Sequence, residues 1–172
     1  MMDSKELDKL NRKLAKIEKR LMKSVVDIPN VVTQELAAGA VIIRNTIIES
    51  MRENKHGITY KRGKKSHQAS APGEAPAVDT GAGLRSIVFD VRRRKMEIEI
   101  GTAGNAPYLA FLEGGTSREV AIFAEGATDF LTESRIAPRP WLGPAVEKHH
   151  KEIIRRVGES VFDLFPGKGG KV

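Results

Sequence analysis

The chain of 172 residues contains no cysteine, which excludes disulfide bonds and thiolate metal sites and fits a protein that stays in a reducing compartment. Aromatic residues are scarce at 5%, so aliphatic side chains must supply most of the core packing. The opening residues MMDSKELDKLNRK lack the apolar segment of a secretion signal, and no apolar run approaches the roughly 18 residues of a membrane span. We therefore expect a soluble, cytoplasmically made protein with one core and no membrane partner.

The net charge of +7 is confined to the N-terminal third of the chain. Residues 1–65 carry 15 Lys and Arg against 8 Asp and Glu, whereas residues 66–172 carry 14 of each. Such a local surplus fits either an acidic partner, DNA included, or a solvated surface. The candidate contacts with an acidic partner or DNA lie in the stretch KRGKK: Lys61, Arg62, Lys64 and Lys65.

The first segment predicts an amphipathic helix with a basic polar face. Its apolar residues recur at spacings of 3, 4, 3 and 4, although two heptads are too few to assert a coiled coil: Leu7, Leu10, Leu14, Ile17 and Leu21. The sequence Asp-Ile-Pro at 27–29 predicts a break and a restart at Pro29. We therefore expect a helical arm over 1–28, a domain over 29–165 and a frayed tail over 166–172.

Further elements are predicted from period and composition. Residues 31–52 form a helix apolar enough to be buried on several sides, and 56–78, rich in Gly, Pro, Ser, Lys and Arg, form a long flexible loop. Alternation on both sides of Arg92-Arg93-Arg94-Lys95 predicts a β-hairpin, whose basic run we interpret as a solvated tip.

A short helix follows, with Tyr108, Phe111 and Leu112 on one face and glycine at its end. A strand is expected at Val120, Ile122 and Phe123, and the last helix begins at Pro144. This order predicts an α+β fold, in which a small antiparallel sheet packs with a long helix of the N-terminal half and with the C-terminal helix.

The triplet Asp79-Thr80-Gly81 allows two interpretations. It is the triplet of aspartic proteases, but the preceding SAPGEAPAV contains two prolines and no strand pattern, and no second triplet exists in the chain. The simpler interpretation makes Asp79 the N-cap of a helix that carries Leu84. The adjacent His149 and His150 point about 100° apart on a helix, so no metal site is predicted, and neither a catalytic residue nor a cofactor is expected.

Three segments, APAVDTGAGLRSI, NAPYLAFLEGGTS and APRPWLGPAVEKH, occur in this order. Together they resemble the tail-completion, or head–tail joining, proteins of long-tailed double-stranded DNA bacteriophages, also described as minor tail components. The positions that carry the resemblance are Asp79, Thr80, Gly81, Leu84, Tyr108, Glu113, Gly115, Thr116, Pro138, Arg139, Pro140, Leu142, Pro144 and Ala145. The chain departs from the family by Gly114, where a bulky apolar residue is usual, and by an insertion over 117–137.

The resemblance implies a structural protein of the virion neck or tail top, made in the host cytoplasm. Copies would assemble as a ring, a hexamer or a dodecamer, around a channel for double-stranded DNA, and would contact head-connector and tail-tube or terminator proteins. A tail terminator is the alternative within this class, and a sequence-independent DNA-binding protein is the alternative outside it.

Independent physical features of the third segment also suggest an architectural role. Pro138, Pro140 and Pro144 stiffen the approach to the last helix. Trp141 is either a core residue or an interface hot spot. We also expect Glu113 and Arg139 to pair at this corner.

Overall fold

The fold is α+β, as predicted. The computed structural model describes residues 4–62, 64–104, 106–116, 120–121, 131–132 and 136–165. The elements are α1 (Ser4–Arg52), β1 (Thr59–Arg62), β2 (Lys65–Gln68), α2 (Ala82–Ser86), β3 (Ile87–Arg92), β4 (Glu97–Thr102), α3 (Tyr108–Gly114), β5 (Val120–Ala121), β6 (Leu131–Thr132) and α4 (Gly143–Phe162). The strands pair as three two-stranded sheets, β1 with β2, β3 with β4 and β5 with β6.

The described residues divide into two compact units. The first comprises residues 4–39, 91–98 and 151–165, and the second comprises 40–90 and 99–150. The expected limits of an arm over 1–28 and a domain over 29–165 stay predictions. Most of the insertion at 117–137, including Ile122 and Phe123, and the whole tail at 166–172 lie outside the described residues.

The predicted break at Asp27-Ile28-Pro29 is wrong, because α1 runs without interruption from Ser4 to Arg52. A proline inside a helix removes one backbone hydrogen bond and costs about 3 kcal/mol. Side-chain hydrogen bonds flank Pro29 on both sides, and the first of them is a tertiary contact within the first unit. Before it, the Ser24 hydroxyl donates to the carbonyl of Leu164 at 2.5 Å. After it, the Thr33 hydroxyl donates to the Pro29 carbonyl at 2.7 Å.

In the first unit, α1 packs closely against α4. Gly39 makes this approach possible, since a Cβ at that position would lie 2.8 Å from side-chain atoms of Ile153. One turn earlier on α1, the Glu35 carboxylate accepts hydrogen bonds from Arg156 at 2.9 Å and from the Ser160 hydroxyl at 3.1 Å. These contacts fix the two helices along one face.

The main apolar core lies in the second unit. On α1 the buried residues of this core recur at spacings of 3, 4 and 4. The others come from β3, from α3 and α4, and from the segments just before these two helices. The full set is Ala40, Ile43, Ile47, Met51, Ile87, Ala106, Leu109, Trp141 and Ala145. The expectation that this part of α1 is buried on several sides, by its own core or by another subunit, stays a prediction, because within the chain Val41 is 44% exposed and Ile42 and Ile48 are half-buried. One face of the helix is enough to cover the core.

The predicted loop at 56–78 contains a β-hairpin, which is a correction. β1 and β2 are antiparallel, with Thr59 opposite Gln68 and Arg62 opposite Lys65. Most of its side chains are exposed, so no apolar alternation marks the strands in the sequence. Backbone pairing defines the hairpin instead, and the rings of Tyr60 and His67 meet edge-on across it at 5.3 Å.

The hairpin of β3 and β4 and the short helix α3 are confirmed. Glu97 and Glu99 are exposed while Ile98 and Ile100 are half-buried, as the alternation predicted. Met96 lies in the turn rather than in β4 and has a φ of 53°. In α3 the buried residue is Leu109, whereas Tyr108 and Phe111, which the sequence placed on the apolar face, are exposed.

Candidate functional site

Two of the three motif segments meet where α3 approaches the N-terminus of α4. The first backbone N–H groups of a helix have no partner within the helix. Here the Glu113 carboxylate accepts the N–H of Gly143, the first residue of α4, at 2.8 Å, and those of the two residues before it, Leu142 at 3.0 Å and Trp141 at 2.7 Å. The negative charge also lies at the positive end of the helix dipole of α4. Glu113 therefore caps α4 from a distant segment of the chain.

Trp141 is a core residue. Its side chain is 4% exposed, and its indole N–H donates to the carbonyl of Leu109 at 2.9 Å. A buried indole N–H needs such an acceptor, and the bond joins the segment just before α4 to the first turn of α3. The sequence allowed Trp141 to be either a core residue or an interface hot spot, and its burial within the chain supports the core residue.

The expected ion pair between Glu113 and Arg139 is wrong, because the two side chains take different partners. The Arg139 backbone N–H donates to Leu112 at 2.6 Å, and its guanidinium donates to the carbonyls of Ser70 at 3.2 Å and Ala137 at 3.4 Å. Carbonyl groups of irregular segments need donors when helix and sheet do not supply them. Arg139 meets that need next to α3.

Gly115 and Thr116 close the base of the segment 117–135. Gly115 has a φ of 72°, and a Cβ there would lie 2.6 Å from the carbonyl oxygen of Ile136. Thr116 and Ile136 exchange backbone hydrogen bonds of 2.9 and 3.2 Å. Only glycine suits a left-handed conformation with so close a neighbour. Pro138, Pro140 and Leu142 lie between this bridge and α4, and Pro144 is the second residue of α4.

The prediction that Asp79 is the N-cap is wrong. The helix α2 begins at Ala82, and its N-cap is Gly81, in the left-handed conformation with a φ of 76° and no side-chain capping bond. The hydroxyl of Thr80 accepts the N–H of Ala82 at 3.3 Å. Residues 69–80 form no strand, so the triplet does not lie on the strand-borne turn of an aspartic protease.

A cavity of about 510 Å³ in the second unit brings all three motif segments together. Gly83 of α2 is buried here, and a Cβ on it would lie 2.9 Å from the Tyr108 hydroxyl. Other lining residues come from each motif segment and from the β1–β2 hairpin: Tyr60, His67, Asp79, Thr80, Leu84, Leu112 and Arg139. Among the described residues no cluster of three or more His, Asp or Glu is placed to hold a metal ion.

No pattern in the sequence predicts the contact between His56 and Glu74. The imidazole Nδ1 lies 2.6 Å from one carboxylate oxygen, and the other oxygen accepts the N–H groups of Ala71 at 2.8 Å and His56 at 3.2 Å. These bonds, that from Ala71 first, lower the pKa of Glu74 to about 2. Eighteen positions separate the partners, so only the folded chain brings them together.

The basic residues of KRGKK lie on the hairpin of β1 and β2. Lys61, Lys64 and Lys65 are exposed, and Arg62 pairs with Lys65 at the end of the strands. Lys61, Arg62 and Lys65 are thus carried on paired strands and Lys64 on the turn between them, rather than on a flexible loop. The other basic run, Arg92–Lys95, is exposed at the turn between β3 and β4, as predicted.

No family model, curated protein or solved structure matches this chain. One helix, Lys5–Arg52, contains an 18-residue window with a mean hydropathy of 1.3, of which 28% is buried. Its length and composition would let it cross a membrane, and core helices of water-soluble proteins meet the same criterion.

Proposed function

We propose that this chain is a structural protein of the neck or tail top of a long-tailed bacteriophage. Copies form a ring that joins the tail tube to the head connector and leaves a channel for DNA. The observation that carries the proposal is the convergence of the three motif segments on one cavity, with two of them also joined at one helix cap. Segments that resemble the tail-completion proteins only in order along the chain are thus neighbours in the fold.

The contacts of the motif residues favour an architectural role. The Glu113 carboxylate binds backbone N–H groups, the Arg139 guanidinium binds backbone carbonyls, and Trp141 is buried. Side chains engaged in this way hold segments in place. This is the role expected of motif residues in an assembly protein.

Exposed apolar surface supports association with other protein. The described residues expose more large apolar side chains than they bury, and Ile58, Ile154 and Phe162 are among the most exposed. Interfaces between subunits bury large apolar side chains, so these residues are available for contacts with other protein. Ring neighbours and adjoining neck proteins would cover them.

The test is deletion of the gene from the phage that encodes it, followed by electron microscopy of the lysate. The proposal expects DNA-filled heads beside unattached tails, and expression of the wild-type chain in trans should restore complete particles. Free tails of normal length would indicate a joining protein, whereas tails of uncontrolled length would indicate a terminator. Complete, infectious particles without the chain would refute both.

The exposed cations of the β1–β2 hairpin favour DNA as a second candidate partner. Binding of a 30-base-pair duplex should weaken steeply between 50 and 200 mM salt, because each phosphate contact releases counterions. The slope of log affinity against log salt concentration reports the number of phosphate contacts. Replacing Lys64 and Lys65 by glutamate should reduce this slope by the equivalent of about two phosphate contacts. Unchanged affinity and slope in this variant would exclude the hairpin as the DNA contact.

A further inference from the structure

The N-terminal part of α1 presents an uncovered apolar stripe. Its five members, which we call the seam, are each 41–54% exposed: Leu7, Leu10, Leu14, Ile17 and Leu21. They repeat at 3 and 4 residues, which is the a and d pattern of a heptad with Leu7, Leu14 and Leu21 at a. No described part of the chain covers them.

The chain itself begins to cover this face at the next position of the repeat. Ser24 is the d residue that follows Leu21, and it is buried, with its hydroxyl bonded to the carbonyl of Leu164 just after α4. The seam is thus the continuation of a face that is already used for helix packing.

The seam is too narrow for a membrane surface and suits another helix. Between residues 4 and 23 the apolar residues outside it are Ala15 and Met22, and no aromatic residue occurs. Helices that lie in a membrane interface carry a wide apolar face, commonly with Trp or Phe. A stripe restricted to a and d is typical of a coiled-coil contact.

Charges around the seam indicate which helix fits. All c and f positions, which point away from a partner, are cations: Lys5, Lys9, Arg12, Lys16, Lys19 and Lys23. In a parallel pair of identical helices, Lys13 at g faces Glu18 at e of the other copy, twice per pair. In the antiparallel pairing that centres on the seam, Lys13 would meet Lys13. The pattern therefore favours parallel copies of the same chain.

Two and a half heptads are short for an isolated coiled coil. Here, however, the helix is already formed, because α1 continues without a break into the folded part of the first unit. The cost of helix nucleation therefore does not oppose the association.

We propose that the seam is a parallel, in-register coiled coil between copies of this chain. Leucine at a with isoleucine at one d position favours three or more strands over two. The inference uses only the seam and its charges, so it stands or falls independently of the role in a phage neck.

Cysteine cross-linking in the full-length protein tests the register. Because the chain has no cysteine, Ile17→Cys and Lys16→Cys each introduce a single thiol, one at d and one at c. In a parallel bundle the d positions of two copies lie within disulfide distance and the c positions do not. We expect Ile17→Cys to form covalent dimers at least ~10-fold faster than Lys16→Cys. Equal rates would overturn the proposal.

Charge reversal provides a second test. Lys13→Glu should weaken self-association about tenfold in sedimentation equilibrium, and Lys13→Glu combined with Glu18→Lys should restore it. A double variant as weak as the single one would contradict parallel pairing. If the wild-type chain is monomeric and instead floats with vesicles containing phosphatidylserine, the seam binds lipid and the proposal is wrong.

Discussion

Replacing Glu113 by alanine should destabilise the corner between α3 and α4 more than any ordinary surface change. A helix cap that accepts one N–H is worth about 1 kcal/mol. The Glu113 carboxylate accepts three, at 2.7, 3.0 and 2.8 Å, with its charge at the positive end of the α4 dipole. We therefore expect Glu113→Ala to lower the free energy of unfolding by about 3 kcal/mol.

Two further variants separate the possible causes. Glu113→Gln keeps one carbonyl acceptor but loses the charge and the second oxygen, so it should cost about half as much. Glu147→Ala is the matched control, since it removes an exposed carboxylate from α4, the helix that Glu113 caps, and should change stability by less than about 0.5 kcal/mol.

Urea unfolding followed by tryptophan fluorescence measures this effect at the corner itself. Trp141 is the single tryptophan of the chain, it is buried, and its backbone N–H is one of the three donors to Glu113. A loss of stability appears as a lower midpoint at an unchanged slope. The reasoning is refuted if Glu113→Ala and Glu147→Ala unfold at the same urea concentration.

Two other predictions concern helix packing and pH. Gly39→Ala should destabilise the first unit by about 1–2 kcal/mol in thermal unfolding, because the Ile153 side chain occupies the space that the new methyl group needs. This loss is expected even though alanine has a better helix propensity than glycine. Combining it with Ile153→Ala should remove most of the loss, and an unchanged loss would contradict the contact. The pKa of Glu74 is lowered to about 2, chiefly by the Ala71 N–H and then by His56, so its contribution to stability is present above about pH 4.5 and is lost as the pH falls towards 2. Glu74→Gln should flatten the acid limb of a stability–pH profile between pH 5 and 2, and an identical limb would exclude the assignment.

Elements with a clear local signal were predictable. The alternation of Glu97 and Glu99 with isoleucines identifies a strand with one wet face, and the glycines after Leu112 mark the end of α3. The hairpin β1–β2 was missed because its strands bury no alternating face, so no hydrophobic period exists to detect. Pro29 misled the prediction because helix propensity ignores the contacts that flank it.

The candidate site was predictable in its members but not in its contacts. Motif order placed Glu113, Arg139 and Trp141 in one region, and charge suggested a pair between the first two. Backbone N–H and C=O groups are not visible as a pattern in a sequence, yet they are the partners that both charged side chains take. The N-cap of α2 is likewise Gly81 rather than Asp79, because the backbone conformation at this turn decides the cap and is not visible as a pattern in the sequence.

The amino-acid sequence by itself determined the α+β class, the amphipathic N-terminal helix, the hairpin of β3 and β4 and the start of the last helix to within a residue. These features depend on periods of 2 and 3.6 residues and on glycine and proline, all of which act locally. The tertiary structure alone decided that α1 passes through Pro29, that Glu113 caps α4 and that the seam is left uncovered. Each of these features depends on contacts between residues that lie far apart in the sequence, such as Ser24 with Leu164 or Glu113 with Gly143. Such contacts form only in the folded chain, so no local pattern predicts them.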